Sequence, residues 1–181
     1  MDATGRKASG RPLEGEYAAY AKVDIDRVQG DDAVGALTSQ LRGTLALLGA
    51  IPEGAASHRP YAPGKWTLKE VVGHMTDDER IFTYRALCVA RNDTAPLPGF
   101  DEKEYVAHAS FEARPLADVL AEYESVRKAT LSFAASLTPE EWLRYGTVNG
   151  YRASVRGLVF HLAGHELHHL AIVRERYLNR P

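Results

Sequence analysis

The sequence is organised around His161-Leu-Ala-Gly-His165-Glu-Leu-His168-His169, which lies within the stretch Val155–Tyr177. Apolar residues recur in this stretch at three- and four-residue steps, which predicts an amphipathic helix. His161, His165 and His169 recur every four residues on the same stripe, one above the other. Imidazoles therefore stand where a core-facing helix normally presents Leu or Val. Because burying an unpaired imidazole is costly, something must satisfy them, and a metal ion is the most economical partner.

Three further long amphipathic helices are predicted before this one. The second of them starts at the capping box Thr67-Leu-Lys-Glu70. The predicted bounds of the four helices are residues 31–49, 67–91, 115–137 and 154–178. The stretch Tyr145–Tyr151 contains turn-forming residues and is expected to be a brief extended linker. Four long helices, no convincing strand and no internal repeat predict an all-α four-helix bundle.

The composition sets the protein class. A chain of 181 residues suits one domain, predicted to span 16–181 behind a polar, glycine-rich flexible tail at 1–15. The net charge of −2 and the lack of a basic face argue against a nucleic-acid partner. No apolar run reaches the roughly 18 residues of a membrane span. A single cysteine, Cys88, and no export segment favour a cytoplasmic protein.

The segment from His165 to His169 also matches the H-E-x-x-H pattern of zinc metalloproteases. The extended form of that pattern requires Gly and His where this chain has Ile172 and Glu175. Glu166 lies one residue off the face of the two histidines, so it is expected to point aside, at the edge of the site. The pattern therefore does not favour a protease. The H-x-x-x-H pair can still chelate one metal ion from a single helix.

A third ligand must come from another helix, and His74 lies on the core-like face of the second long helix. His58 and His108 lie in predicted connectors, and His168 is about 100° off the ligand face. His161 could support a ligand from behind, act as a fourth ligand or face the substrate. Three neutral imidazoles suit Zn²⁺, Ni²⁺, Fe²⁺ or Mn²⁺. The alternative is a set of core histidines that bind no metal and hydrogen bond to their neighbours.

The second helix carries further polar residues on the face of His74. Asp78 and Arg85 follow it at spacings of four and seven residues. Asp78 could accept a proton or orient a ligand, or it could form an ion pair with Arg85 or Arg80. Arg85 could anchor an anionic substrate group, or it could pair with Asp78 or Glu79. Glu79 is expected at the helix surface or between helices.

Gly164 lies inside the fourth helix, where glycine costs about 1 kcal/mol relative to alanine. The expected compensation is the close approach of a neighbouring helix beside the metal.

Several motifs occur together in one order: Pro63-Gly-Lys-Trp-Thr67, Glu70-Val-Val-Gly-His74, Asp77-Asp-Glu-Arg80, Arg85, Phe100-Asp-Glu102 and Gly164-His-Glu-Leu-His-His169. In this order and spacing they resemble the DinB-like superfamily, over roughly residues 17–178. The resemblance implies an up-down-down-up bundle, often a homodimer. It also implies a divalent metal held by one histidine of the second helix and an H-x-x-x-H pair of the last. Those positions are His74, His165 and His169, the same three that the spacing selects.

The resemblance also implies a class of function. Similar proteins include thiol S-transferases, isomerases that use a thiol, and metal-dependent hydrolases. We therefore expect a metal-dependent enzyme that activates a low-molecular-weight thiol or water against a small electrophilic substrate, with S-transfer slightly favoured. Asp78 is the predicted catalytic residue and Arg85 the predicted substrate-binding residue, with His161 and Glu79 supporting the ligands. The alternative is a non-catalytic, stress-related metal-binding protein whose bundle mainly dimerises.

Overall fold

The computed structural model of the chain describes residues 9–178, which form eight α-helices and one two-stranded hairpin. In chain order the helices are α1 (Lys22–Ile25), α2 (Ala33–Gly49), α3 (Ala55–His58), α4 (Leu68–Ala90), α5 (Glu102–His108), α6 (Leu116–Ala135), α7 (Pro139–Trp142) and α8 (Val155–Ile172). The strands are β1 (Tyr145–Val148) and β2 (Tyr151–Ser154). Short 3₁₀ turns occupy Ala19–Ala21 and Phe111–Ala113, and a π-helical turn, Val173–Leu178, continues α8. No helix within 9–178 is long and apolar enough to cross a membrane.

The four long helices α2, α4, α6 and α8 form an up-down-down-up bundle, which confirms the predicted fold. Contacts that advance together along both partners show the parallel pairs: Gln40–Ala163 and Thr44–Glu166 join α2 to α8, and Glu79–Arg127 and Thr83–Thr130 join α4 to α6. Helices α4 and α8 run antiparallel, because Asp78 lies beside His165 whereas Phe82, one turn later, packs on His161. The antiparallel pair α4 and α8 carries the candidate site.

Local sequence signals explain where these two helices begin. Thr67 and Glu70 form the predicted capping box at the start of α4, each side chain satisfying a backbone N–H of the first turn. Ser154 caps α8 by accepting a hydrogen bond from the backbone N–H of Gly157 at 3.0 Å. Helix α8 then ends as an α-helix at Ile172, earlier than predicted, and continues as the π-helical turn.

The expected linker at Tyr145–Tyr151 is wrong, because the segment forms part of an antiparallel hairpin. Val148 pairs with Tyr151 across a two-residue turn. The turn residues Asn149 and Gly150 have φ angles of 50° and 77°, and the Asn-Gly sequence is the one favoured in two-residue hairpin turns that require positive φ. Leu97 adds a short parallel bridge to Val148, with its N–H donating to Thr147 O at 2.9 Å. The hairpin turn and the α4–α5 loop therefore form one wall beside the helix pair.

The N-terminal segment packs across the bundle where the structure describes it. The predicted tail, 1–15, falls partly outside the described residues, but Ser9 is buried and donates to Asp31 O at 3.2 Å. Arg11 donates to Ile25 O at 2.8 Å. Glu16 accepts hydrogen bonds from Ser154 and Arg156 at the start of α8. The contacts of Glu16 thus attach the segment before α1 to the start of α8, and Arg11 binds the end of α1.

Candidate metal centre

The antiparallel pair α4 and α8 brings together three histidines, His74, His165 and His169. Their ligand atoms all lie within 4.8 Å of one another. His165 Nε2 is 3.1 Å from His74 Nε2 and 3.0 Å from His169 Nε2. His165 and His169 share one face of α8 because they are four residues apart. The structure thus brings together the three residues selected from the sequence.

Burial lowers the pKa of all three imidazoles, because the charged form loses hydration. The pKa of His74 falls to about 4 and that of His169 to about 3. Burial, and secondarily the neighbouring histidines, hold the pKa of His165 well below its ordinary value. At neutral pH each ring is therefore uncharged and keeps a nitrogen lone pair. Neutral imidazole is the form that binds metal ions.

Asp78 lies behind His165, with its Oδ2 atom 3.3 Å from His165 Nδ1. Burial raises the pKa of this carboxyl well above its ordinary value. Among the described residues, Asp78 Oδ2 has no hydrogen-bond partner of good geometry. A carboxylate at the far nitrogen of a histidine is the usual device that fixes which nitrogen faces a metal. This position suits an orienting role towards His165.

These residues fit a divalent metal ion. With a metal–nitrogen distance of about 2.0–2.1 Å and bond angles between 90° and 109°, two ligand nitrogens lie roughly 2.9–3.4 Å apart. The two Nε2 separations at His165, 3.1 and 3.0 Å, fall in that range. The donor set is three neutral imidazoles, two buried and that of His165 partly buried, with a carboxyl group behind His165. The separations, the neutral imidazoles and the carboxyl group match a three-histidine site of the kind that binds Zn²⁺ or a related ion.

A second group of polar residues lies beside the triad, around Asp24 of α1. Its Oδ2 is 3.7 Å from His161 Nδ1, and its Oδ1 is 3.9 Å from His168 Nδ1. His161 is buried, packs on the ring of Phe82 and lies 4.0 Å from Asp78 Oδ2 through its Nε2. His161 also stacks on the ring of His165, with 5.6 Å between the centroids, but it is not one of the three converging residues. Asp24 was missed from the sequence, because α1 is too short to show a periodic pattern.

Gly164 has the close neighbour that its helix position predicts, although the neighbour is the short helix α1. A methyl group at Gly164 would lie 2.0 Å from the backbone oxygen of Asp24. Glycine therefore lets the α1 backbone contact α8, one residue before His165. This contact brings Asp24 to the site.

A pocket of about 410 Å³ opens onto the three histidines. The polar residues that line the pocket include Asp78 and Arg85. The aromatic part of its wall is formed by Tyr20, Trp66, Phe82 and Phe100. The ring of Trp66 lies 4.8 Å from that of His74, measured between centroids. Arg85 does not form the ion pairs considered for it with Asp78 or Glu79. Its Nη2 donates to Pro98 O at 2.7 Å instead. The volume is that of a small-molecule site.

Glu166 does not lie where the sequence suggested, whereas Glu79 lies between two helices, one of the positions expected for it. Glu166 was expected to point aside, but it is 2% exposed and faces the bundle core. Arg127 of α6 bridges the two, donating to Glu79 Oε1 at 2.7 Å and to Glu166 Oε2 at 2.8 Å. Tyr123 and Thr44 also donate to Glu166. Glu79, predicted to support the ligands, therefore contacts Arg127 and not the histidines.

The comparisons with known proteins agree with this fold. The sequence model of the DinB superfamily matches residues 36–173. Among solved structures, the fold is similar to that of YfiT from Bacillus subtilis, described as a probable metal-dependent hydrolase with an unusual four-helix bundle topology. That match has a TM-score of 0.69 at 17% identity and covers 91% of this chain and 89% of that chain. At this identity it shows a shared fold alone. No curated protein matches the chain significantly.

Proposed function

This chain belongs to the DinB superfamily, and from that premise we propose that it is a metal-dependent enzyme acting on a small electrophilic substrate. His74, His165 and His169 would hold one divalent ion. The observation that carries the proposal is the convergence of three neutral histidine Nε2 atoms that line a pocket of about 410 Å³. The description of YfiT as a probable metal-dependent hydrolase supports the same class of chemistry.

A divalent ion in such a site lowers the pKa of water or of a thiol towards neutrality and so supplies a nucleophile. The chain's own residues position the reaction. Asp78 would accept the Nδ1–H of His165, which leaves Nε2 free to face the pocket. The aromatic wall would exclude water from the bound substrate. Asp78 also lines the pocket, so the catalytic role predicted for it remains part of the proposal.

The first test is metal content. Without an ion, the distances of 3.1 and 3.0 Å at His165 would be N–H···N hydrogen bonds between core histidines. We expect protein purified without an affinity tag to contain about one divalent ion per chain by elemental analysis, and His165→Ala to lose it. His108→Ala is the matched control, because His108 is exposed on α5 and does not line the pocket. Metal-free wild type, or full metal content in His165→Ala, would refute the proposal.

The reaction class needs a second measurement. Metal-loaded protein is mixed with activated esters, and with alkyl or aryl electrophiles in the presence of small thiols. Ester cleavage without added thiol indicates hydrolysis, and thioether formation that depends on both thiol and protein indicates S-transfer. Metal binding with neither activity would favour the non-catalytic alternative. The predicted homodimer is also a proposal, which light scattering of the purified protein tests.

A further inference from the structure

We propose that Arg85 makes the pocket selective for small molecules that carry a single carboxylate group on an apolar body. This inference deepens the proposed function, on which it rests for the reaction, by naming the substrate class. The observation behind it is a buried cation that lines the pocket without an ion pair, because Asp78 acts on it only from beyond ion-pair distance. Arg85 is 4% exposed. Within 9–178 no carboxylate oxygen lies within ion-pair distance of its guanidinium, which donates a hydrogen bond to Pro98 O.

Arg127 is a second buried arginine in this chain, and its role is structural, so it can be compared with Arg85. Arg127 is 1% exposed and donates to carboxylate oxygens of both Glu79 and Glu166. Burial lowers its pKa, but the two carboxylates hold it above the ordinary value. For Arg85, burial is also the main effect, and here it leaves the pKa below the ordinary value. Since buried charges are normally paired, the missing partner of Arg85 points to an anion supplied by a ligand.

The guanidinium of Arg85 is also held in place. Its central carbon lies 4.7 Å from the centroid of the Phe82 ring and 5.5 Å from that of Phe100. Together with the hydrogen bond to Pro98 O, these contacts fix the group before a ligand arrives. A fixed fork of donors suits planar carboxylate, which it can bind through two parallel hydrogen bonds. Pre-organisation of this kind reduces the entropy lost on binding.

The other residues of the pocket limit the charge and size of the ligand. Arg85 is the one arginine or lysine among the described residues that line the pocket, so the second negative charge of a phosphate would have no cationic partner, whereas a carboxylate carries one charge. The aromatic wall favours an apolar or aromatic body. Arg85 and the three histidines line one cavity of about 410 Å³. A carboxylate bound at Arg85 therefore leaves the rest of the molecule near the histidines, where its electrophilic group would react.

The test compares three probes of similar size by calorimetry: 3-phenylpropionate, 3-phenylpropanamide and phenyl phosphate. Metal-free wild-type protein is used first, because a metal ion would itself attract carboxylate. We expect the carboxylate to bind at least tenfold more tightly than the amide or the phosphate. Arg85→Met should remove this preference and leave binding of the amide unchanged, and Arg85→Lys should retain part of it. The same order is expected with the metal-loaded protein.

Arg80→Met is the matched control, because Arg80 lies on the same helix but pairs with Asp77 and Glu122 on the surface. It should bind all three probes like wild type. Equal affinity of wild type for carboxylate and amide, or tighter binding of the phosphate, would overturn the inference. So would an unchanged preference in Arg85→Met. The wild-type comparison decides the matter even if Arg85→Met does not fold. Because it uses metal-free protein, its result is independent of whether the histidines bind a metal.

Discussion

Gly164 sets the distance between α1 and α8 next to the candidate ligands. A Cβ atom at this position would lie 2.0 Å from Asp24 O, which belongs to the backbone and cannot rotate away. Alanine gains about 1 kcal/mol of helix propensity over glycine, but the clash forces α1 to move. We expect Gly164→Ala to lower the free energy of unfolding by about 1–3 kcal/mol, as over-packed core substitutions do. Urea denaturation of the purified variant measures this change.

Gly43 provides the matched control within the same protein. It lies inside α2, and an added Cβ atom would have no neighbour within 4 Å. Gly43→Ala should therefore raise the free energy of unfolding by about 0.5–1 kcal/mol, the ordinary gain of alanine in a helix. If the two substitutions change the free energy of unfolding in opposite directions, the loss of stability in Gly164→Ala is due to the contact with α1. A stabilising Gly164→Ala would mean that α1 is held away from α8 in solution.

The site histidines could be selected from the sequence because their chemistry conflicts with their position. A histidine repeated every four residues on an apolar stripe is unusual enough to require a partner. His74 could be selected as the third residue because it was the histidine on the inner face of another long helix. The structure brings these residues together, whereas their binding of a metal remains a proposal. Asp24 left no such signal, since a four-residue helix has no periodicity to break.

The long helices could also be predicted, because periodicity and capping residues are local properties. Two features, the hairpin and the burial of Arg127, were not predicted, for different physical reasons. The hairpin had a local signal, Asn149-Gly150, whose strength was underestimated in a helical protein. Arg127 had no such signal. A charged residue within a helix is expected to face water, and its burial depends on two glutamates that are distant in sequence. A pattern within one helix cannot show a partner on another.

The ion network centred on Arg127 links three helices through side chains. Its cation on α6 lies between Glu79 of α4 and Glu166 of α8, all nearly inaccessible to water. Arg127→Ala would leave two buried carboxylates without a cation. We expect the free energy of unfolding to fall by about 3–5 kcal/mol, the cost of breaking a buried ion pair from one side. Chemical denaturation followed by circular dichroism measures it.

A surface arginine separates the effect of burial from that of charge. Arg80 pairs with Asp77 and Glu122 but its side chain is 45% exposed. Arg80→Ala should cost less than about 1 kcal/mol, because water screens exposed ion pairs. A similar cost for Arg127→Ala would mean that the buried network is solvated or rearranged in solution. In that case the register of α4 and α8, and the convergence of their histidines, would depend on apolar packing alone.

For the molecule as a whole, the buried histidines make stability depend on pH when no metal is bound. An unfolded histidine titrates near pH 6.5. In the folded protein, burial lowers the pKa of His74 and His161 to about 4, lowers that of His169 to about 3 and keeps that of His165 well below normal. Their stabilising contribution is complete above pH 6.5 and is lost as the pH falls, because only the unfolded chain then takes up protons.

Three carboxyl groups act in the opposite direction. Burial raises the pKa of Asp78, Asp24 and Asp77, so the folded protein can take up protons there that the unfolded chain does not. Four histidines act against these carboxyl groups, so the unfolded chain still binds more protons, and each proton of that excess corresponds to about 1.4 kcal/mol per pH unit. We therefore expect metal-free protein to lose stability steeply between pH 6.5 and pH 5, as measured by urea unfolding at intervals of half a pH unit.

Two histidine variants and one addition make this prediction specific to the buried cluster. His169→Leu removes about one proton from the difference between the unfolded and folded states. The slope of the free energy of unfolding against pH should therefore fall by about 1.4 kcal/mol per pH unit. His108→Gln should leave the slope unchanged, because the side chain of His108 is 81% exposed in the fold. A saturating divalent ion should stabilise the wild type and move its loss of stability to lower pH, since protons and metal compete for the same nitrogen atoms. A flat profile from pH 7 to 5 in metal-free protein would show that the imidazoles are hydrated rather than buried, and the convergent triad would then not exist in solution.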